Sequence, residues 1–310
     1  MAEISETTGG EPAMIRITDL HKKFGRFEAL RGLNFDVPEG SAFALIGANG
    51  AGKTTTIKVL MNILEPSRGS VEVLGVDSRK LSPRELAQIG YVSENQEMPS
   101  RLTVEEYIGY LRPFYATWDR ELEQTIAKQL RLPLDRRIGD LSHGMRMKMA
   151  LLCALPYRPK LLVLDEPFSG LDPLVRDEFM EELLNQAGEM TVLLSSHELG
   201  EIDGVATHVA FLDEGKLLFQ ESMGELMGRF REVHVTLEHE AAPPTPTPKE
   251  WLQVRAMGNV LTFVDTRFDP KTLSEQIRSQ IAGVKETAWQ PMALRNVFTT
   301  LAREARDGQA

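Results

Sequence analysis

The sequence predicts an α/β fold with a mostly parallel core sheet flanked by helices, and three observations carry that expectation. Ala42-Phe43-Ala44-Leu45-Ile46 is a continuous apolar run of the kind buried on both faces of a parallel sheet; a Gly-rich turn then leads into Thr55-Thr56-Ile57-Lys58-Val59-Leu60-Met61, which has helical spacing. The runs Lys160 to Leu164 and Met190 to Ser195 repeat the buried-strand pattern. A helix is expected between them from Pro173 to Ala187, completing the strand, helix, strand alternation of a parallel sheet.

The remaining elements follow in chain order. Residues Met1 to Pro12 have neither a basic start nor an apolar stretch, so a flexible tail is expected over 1–13 rather than a secretion signal. Met14 to Leu20 and Leu33 to Val37 alternate apolar and polar residues and predict a small antiparallel β subdomain ahead of the first buried strand. Thr103 to Tyr157, bounded by Pro99 and Pro159, contains no convincing strand and is expected to form a helical subdomain at about 99–158. The main domain is expected over 14–230. A small α+β C-terminal domain then spans 231–310, with strands at Trp251 to Met257, Val260 to Asp265 and Val284 to Trp289, and helices at Pro270 to Ile281 and Met292 to Glu304. Its Pro-rich loop at 241–249 is too poor in apolar residues to be core.

Size and charge narrow the function classes. With 310 residues the chain can hold one large domain and a smaller second one. It has 35 basic against 45 acidic residues and a net charge of −10, so no nucleic-acid partner is expected. The one cysteine, Cys153, cannot form an internal disulfide; its apolar setting reads as a small packed hydrophobe in a reducing cytoplasm. No window reaches the ~18 apolar residues of a membrane helix, so any work at a membrane requires another chain to span it.

Gly47-Ala48-Asn49-Gly50-Ala51-Gly52-Lys53-Thr54 matches the phosphate-binding Walker A pattern and lies between the buried strand and the helix, where that loop must lie. Its glycines let backbone N–H groups wrap phosphates, Lys53 reaches the β and γ phosphates, and the Thr54 hydroxyl can bind Mg²⁺. Asp165 ends an apolar strand, as a Walker B carboxylate holding Mg²⁺ does, and Glu166 beside it is placed to polarise the attacking water. His197, after Ser195-Ser196, ends the next strand, where an imidazole can hydrogen-bond a γ-phosphate. The other histidines, His21, His143, His208, His234 and His239, show no metal-ligand spacing.

Between these motifs stands Leu141-Ser142-His143-Gly144-Met145, which resembles the Leu-Ser-Gly-Gly-Gln signature of ATP-binding cassette (ABC) ATPases, with His143 and Met145 as departures. The resemblance spans about Met14 to Met227 and implies a P-loop cassette that binds and hydrolyses ATP with Mg²⁺. It implies ATP contacts from Gly47, Asn49, Gly50, Ala51, Gly52, Lys53, Thr54 and Thr55, and metal contacts from Thr54, Asp165 and Glu94. Glu166 and His197 are the expected catalytic residues. Phe24 matches the aromatic that stacks on adenine, the alternative being core packing. Glu94 stands where the family's Q-loop usually has Gln, with Gln96 two residues later; a solvated charged loop is the other reading. Ser169-Gly170-Leu171-Asp172 is similar to the D-loop, whose Asp172 helps pair two nucleotide sites.

In this family two cassettes meet head to tail, so Ser142, His143, Gly144 and Met145 are expected to act on the nucleotide of the partner chain. His143 then either narrows the approach of phosphate or supplies an extra donor. One cassette implies a homodimer, or a heterodimer with a related ATPase, coupled to a polytopic membrane permease. The expected location is cytoplasmic, peripheral on the inner face of the cell membrane. The segment Phe114 to Asp119, the segment Leu132 to Asp135 and the closing Met292 to Phe298 look like bacterial efflux-type ATPases of antibiotic or peptide export. The alternative is a soluble, non-transport ABC ATPase in translation or DNA repair. The C-terminal domain is expected to be a regulatory element, a dimerisation element or a lid; its last helix carries Leu294, Val297, Phe298 and Leu301 on one face.

Overall fold

The computed structural model describes residues 12–186 and 190–307. The expected tail therefore lies outside the described residues up to position 11, as does Ala187, the expected last residue of the helix that begins at Pro173. The chain forms two compact units, Met1–Gln220 and Glu221–Ala310.

The first unit begins with two long strands, β1 (Ala13–Phe24) and β2 (Phe27–Pro38), followed by β3 (Ala42–Ile46) and helix α1 (Lys53–Leu60). Next come β4 (Arg68–Val73), β5 (Val76–Asp77), α2 (Pro83–Leu86) and β6 (Ile89–Ser93). Three helices then run without an intervening strand among the described residues: α3 (Val104–Leu111), α4 (Arg120–Gln129) and α5 (His143–Ala154). Strand β7 (Leu161–Asp165), helix α6 (Pro173–Gln186), β8 (Thr191–Ser196), β9 (His208–Asp213) and β10 (Lys216–Ser222) complete it.

Two sheets result. The antiparallel one has strand order β2-β1-β4-β5, and the larger one has order β10-β9-β3-β8-β7-β6 with parallel pairing across β9, β3, β8, β7 and β6. The apolar runs behave as their composition dictates: all five residues of β7 and all six of β8 are buried, as strands covered on both faces must be. A shared core joins Ile15, Leu33 and Phe35 of the antiparallel sheet to Phe43, Leu45, Leu161 and Leu193 of the parallel one and to Ile57 and Leu60 of α1. Phe35 and Phe43 stack at 5.8 Å. Cys153 is half-buried as a residue, but burial of its thiol pushes the pKa up to about 12, the environment of an unreactive structural sulfur.

The second unit contains α7 (Met223–Arg229), β11 (Arg231–Leu237), β12 (Trp251–Met257), β13 (Val260–Asp265), α8 (Pro270–Gln280), β14 (Val284–Pro291) and α9 (Leu294–Asp307). Its sheet order is β12-β13-β11-β14, antiparallel throughout. The central strand β11 was not anticipated, although Val233, Val235 and Leu237 alternate as buried residues along it and form the core with Leu273 and Ile277 of α8. The Pro-rich stretch needs correcting: Ala241 is buried within this same core and Pro244 is buried as well, so the loop packs at two positions while most of its other residues are exposed. Leu294, Val297 and Phe298 of α9 are buried in the single chain and Leu301 half-buried, so most of the apolar face of the last helix is already covered.

Candidate functional site

Strand register assembles the site. The parallel pairing sets Ile46 beside Ser196, Ser195 beside Asp165 and Asp165 beside Ser93, so the loops leaving β3, β8, β7 and β6 all emerge at one carboxyl edge of the sheet. Open α/β sheets place ligands at that edge.

The loop after β3 is built for close backbone approach. A Cβ on Gly47 would lie 2.4 Å from the Leu212 carbonyl oxygen, and one on Gly52, which has φ +108°, would lie 2.7 Å from a Leu30 methyl. Only glycine fits either place. Helix α1 begins at Lys53 directly after this loop, so its unpaired N–H groups face the turn. Lys53 is buried; its Nζ donates to the Gly47 carbonyl at 2.6 Å and the Ala48 carbonyl at 3.3 Å, and forms an ion pair with Glu166 Oε1 at 3.0 Å. Asn49 and Gly50 at the loop tip are exposed, Ala51 is buried, and Thr54 and Thr55 are half-buried in the first turn of α1.

Asp165 and Glu166 occupy different environments one residue apart. Thr54 Oγ1 donates to Asp165 Oδ1 at 3.0 Å and Ser195 Oγ donates to the same oxygen at 2.8 Å. Burial raises the Asp165 pKa above the usual carboxylate value despite these two donors, and the neighbouring Glu166 charge adds to the rise. Glu166 has φ +51°, a left-handed conformation that costs a non-glycine residue energy and is retained where surrounding contacts fix it. Here its amide donates to Ser195 Oγ at 3.0 Å. Ser195 thus holds both members of the pair, a role that arises from the strand register and has no local signal in the sequence. Removing this hydroxyl leaves a buried carboxylate and a backbone N–H each short of a partner, so Ser195→Ala is expected to lower the stability of the first unit by about 1–3 kcal/mol, read as a shift of its urea unfolding transition.

His197 Nδ1 lies 2.7 Å from Glu166 Oε2, so the carboxylate accepts from an Nδ1–H. That hydrogen bond, aided by the Glu166 charge, raises the His197 pKa above its ordinary value of 6.5. A raised folded-state value favours the imidazolium: the interaction contributes fully at pH below the unfolded pKa and is lost as pH rises through the folded one. The His197 ring resonance followed by NMR is therefore expected to titrate with a midpoint above 6.5 and to fall back toward it in Glu166→Gln; an unchanged midpoint would contradict the pairing.

The other loops converge on the same edge. The Glu94 amide donates to the Asp165 carbonyl at 3.2 Å, and the Glu94 carboxylate accepts from Ser169 Oγ at 3.0 Å. Gln96 is half-buried, and its side-chain oxygen is buried without a hydrogen-bond partner. Asp172 is exposed and caps α6, its Oδ1 accepting from the Val175 amide at 3.0 Å. Ser142 is exposed and caps α5 by accepting from the Met145 amide at 3.2 Å. His143 makes a contact within its own chain: its Nε2 lies 3.0 Å from the Ser169 carbonyl oxygen, which can only accept, so Nε2 carries the proton. Phe24 is 47% exposed, with Lys22 Nζ 5.1 Å from its ring centroid, which removes the core-packing alternative.

A Gly-rich strand-to-helix loop with a buried lysine, facing a strand-end Asp-Glu pair and a strand-end histidine, defines a P-loop nucleoside triphosphatase. The comparisons agree and narrow the class. Residues 30–169 match the ABC transporter family model. The chain is 32% identical over 235 residues to an uncharacterized ABC transporter ATP-binding protein, YhaQ, of Bacillus subtilis, covering 73% of this chain and 77% of the relative. It is 32% identical to the bacitracin transport ATP-binding protein BcrA of Bacillus licheniformis (71% and 73% covered) and 31% identical to the lantibiotic transport ATP-binding protein SrtF of Streptococcus pyogenes (67% and 90%). Among solved structures, an ATP-binding subunit of an ABC transporter superposes with a TM-score of 0.64 at 28% identity, covering 69% of this chain and 92% of that one. A bacterial Atm1-family ABC exporter with ATP bound gives 0.62 at 25% identity, covering 73% and 42%. The chain belongs to the ABC transporter family as an ATP-binding subunit, and it is a nucleotide-binding ATPase. No helix among the described residues is long and apolar enough to cross a membrane.

Proposed function

We propose that two copies of this chain close head to tail around ATP and drive a separate polytopic permease for export, with the ATPase peripheral on the cytoplasmic face of the membrane. The observation that carries the chemistry is the convergence of Lys53, Glu166 and His197 within 3.0 Å contacts beside the Thr54–Asp165 pair. Lys53 and the loop amides of Gly47 to Thr55 hold the phosphates, and Phe24 offers its face to the adenine. Glu166 accepts a hydrogen bond from the attacking water and polarises it, while His197 holds Glu166 in place and donates toward the γ-phosphate.

Thr54 Oγ1 and the Asp165 carboxylate suit Mg²⁺: a hydroxyl and a buried carboxylate, hard oxygen donors 3.0 Å apart, whose raised pKa marks a site where a cation would offset the burial of negative charge. Mg²⁺ at this place would take further oxygen ligands from the phosphates and water, as it does where few carboxylates hold it. Glu94, whose amide is bonded to the Asp165 carbonyl, is the further candidate ligand. When bound, the ion neutralises charge on the phosphates being separated. Exposed Ser142 and half-buried Gly144 at the start of α5 complete the nucleotide site of the second copy, and Asp172 lies at the same junction.

Export is favoured over a soluble role in translation or repair by the relatives, which include bacitracin and lantibiotic transport ATP-binding proteins. The test is capture of the tagged chain from detergent-solubilised membranes, with partners identified by mass spectrometry. A polytopic membrane protein in fixed ratio is expected. Ribosomes or DNA in its place would overturn the reading.

A further inference from the structure

Two of the three positions at which this chain departs from the signature and Q-loop patterns, His143 and Glu94, meet at one residue. His143 Nε2 donates to the Ser169 carbonyl at 3.0 Å, and Ser169 Oγ donates to Glu94 Oε1 at 3.0 Å. Ser169 is therefore gripped through its backbone from the signature side and through its side chain from the Q-loop side. The Ser169 amide in turn donates to the Glu166 carbonyl at 3.3 Å, which puts the grip one residue contact from the group that faces the attacking water.

The surrounding packing gives the grip little slack. Gly170 has φ +67°, and a Cβ there would lie 3.7 Å from His143 Cδ2, so the imidazole lies against the turn itself. A Cβ on Gly144 would lie 3.0 Å from a Val175 methyl and 3.7 Å from a Leu171 methyl, so the start of α5 sits directly on the turn and on the start of α6. Glycine at position 143, the residue of the common signature, could not make the bond to Ser169.

We propose that His143 and Glu94 are positioning residues that clamp the turn Ser169 to Asp172 through Ser169, and thereby fix the backbone of Glu166 relative to the signature helix within one chain. The inference rests on the reading of Glu166 as the group that polarises water. It gives His143 a task different from contact with the nucleotide of the second copy. Nucleotide binding is expected to change little, because the hydrogen bonds described for Ser169 go to His143, Glu94 and Glu166 and not to the phosphate loop; the rate of the chemical step is expected to fall, because a displacement of the order of 1 Å at a reacting group costs rate far more than affinity.

The test is steady-state ATP hydrolysis by the purified full-length chain carrying His143→Ala, His143→Gln, Ser169→Ala and the double variant His143→Ala/Ser169→Ala. His143→Ala is expected to lower kcat about tenfold with KM for ATP within about twofold of the parent. His143→Gln, which keeps an N–H donor near the Nε2 position, is expected to recover most of the loss. Ser169→Ala removes the Glu94 arm, and because both arms hold one turn, the double variant is expected to be no slower than the worse single one. Hydrogen exchange at the Leu171 amide, bonded to the Phe168 carbonyl at 3.1 Å, is expected to quicken in His143→Ala even without nucleotide. An unaltered kcat in His143→Ala, a loss expressed in KM, or single losses that multiply in the double variant would each overturn the clamp. Glu166→Gln run alongside separates the two readings: if it retains turnover, the assignment of Glu166 fails, whereas a silent His143→Ala beside an inactive Glu166→Gln defeats the clamp alone.

Discussion

Lys53→Ala is expected to lower ATP hydrolysis by about 10³-fold or more and to weaken nucleotide binding with it, the largest effect of any single change in this chain. The ammonium is buried and already committed to three oxygens, two loop carbonyls and the Glu166 carboxylate. An incoming γ-phosphate competes with Glu166 for it, so the same charge serves the ground state of the loop and the charge that develops in transfer. Its removal also leaves Glu166, with 14% of its side chain exposed, facing His197 without its second cation. Lys53→Met, which keeps the bulk, separates charge from packing: it should bind and hydrolyse ATP as poorly as Lys53→Ala while keeping more of the thermal stability. The check is fluorescent-nucleotide titration beside turnover, and near-parental binding in both variants would contradict the placement of Lys53 on the phosphates.

Glu166→Gln carries the second large effect. A carboxylate that polarises water contributes about 10²–10⁴ in rate, and glutamine preserves shape while losing that capacity. Turnover is expected to fall by that order, yet ATP affinity should hold or rise, because Lys53 is freed of its carboxylate partner for phosphate. Affinity and rate moving in opposite directions distinguishes this variant from Lys53→Ala. Equal loss of both would place Glu166 in binding rather than in chemistry.

The parts of the site legible in the sequence are those whose chemistry is local. Gly47 to Thr54 occupies eight consecutive positions, and the apolar runs that lead to Asp165 and to Ser195-Ser196 announce both a buried strand and the edge at which it ends. Strand β11 carries a period-2 signal, Val233, Val235 and Leu237 alternating with His234 and Thr236, but it is short, lies between a helix and a Pro-rich loop, and no motif accompanies it. Contacts between residues far apart in the chain were beyond reach altogether. Nothing local to Ser195 announces that it bridges Asp165 and Glu166, about thirty positions away. Nothing local to His143 announces Ser169, and the resemblance to a family with glycine at that position pointed the imidazole outward, toward phosphate. The general lesson lies in those two residues: motifs identify the groups that touch substrate, while tertiary register decides what holds them.

The central claim is that a complete nucleotide site needs two chains, with the loop of Lys53 from one and Ser142 and Gly144 from the other. Sedimentation of Glu166→Gln with Mg²⁺ and ATP tests it most directly, in comparison with Glu166→Gln/Ser142→Arg, whose added side chain would stand where the second nucleotide must approach. The single variant is expected to sediment at twice the 34.7 kDa of the chain with ATP and as a monomer without it, and the double variant to bind ATP and remain monomeric. A Glu166→Gln chain that stays monomeric when saturated with ATP, or a double variant that dimerises as well as the single one, would contradict the claim.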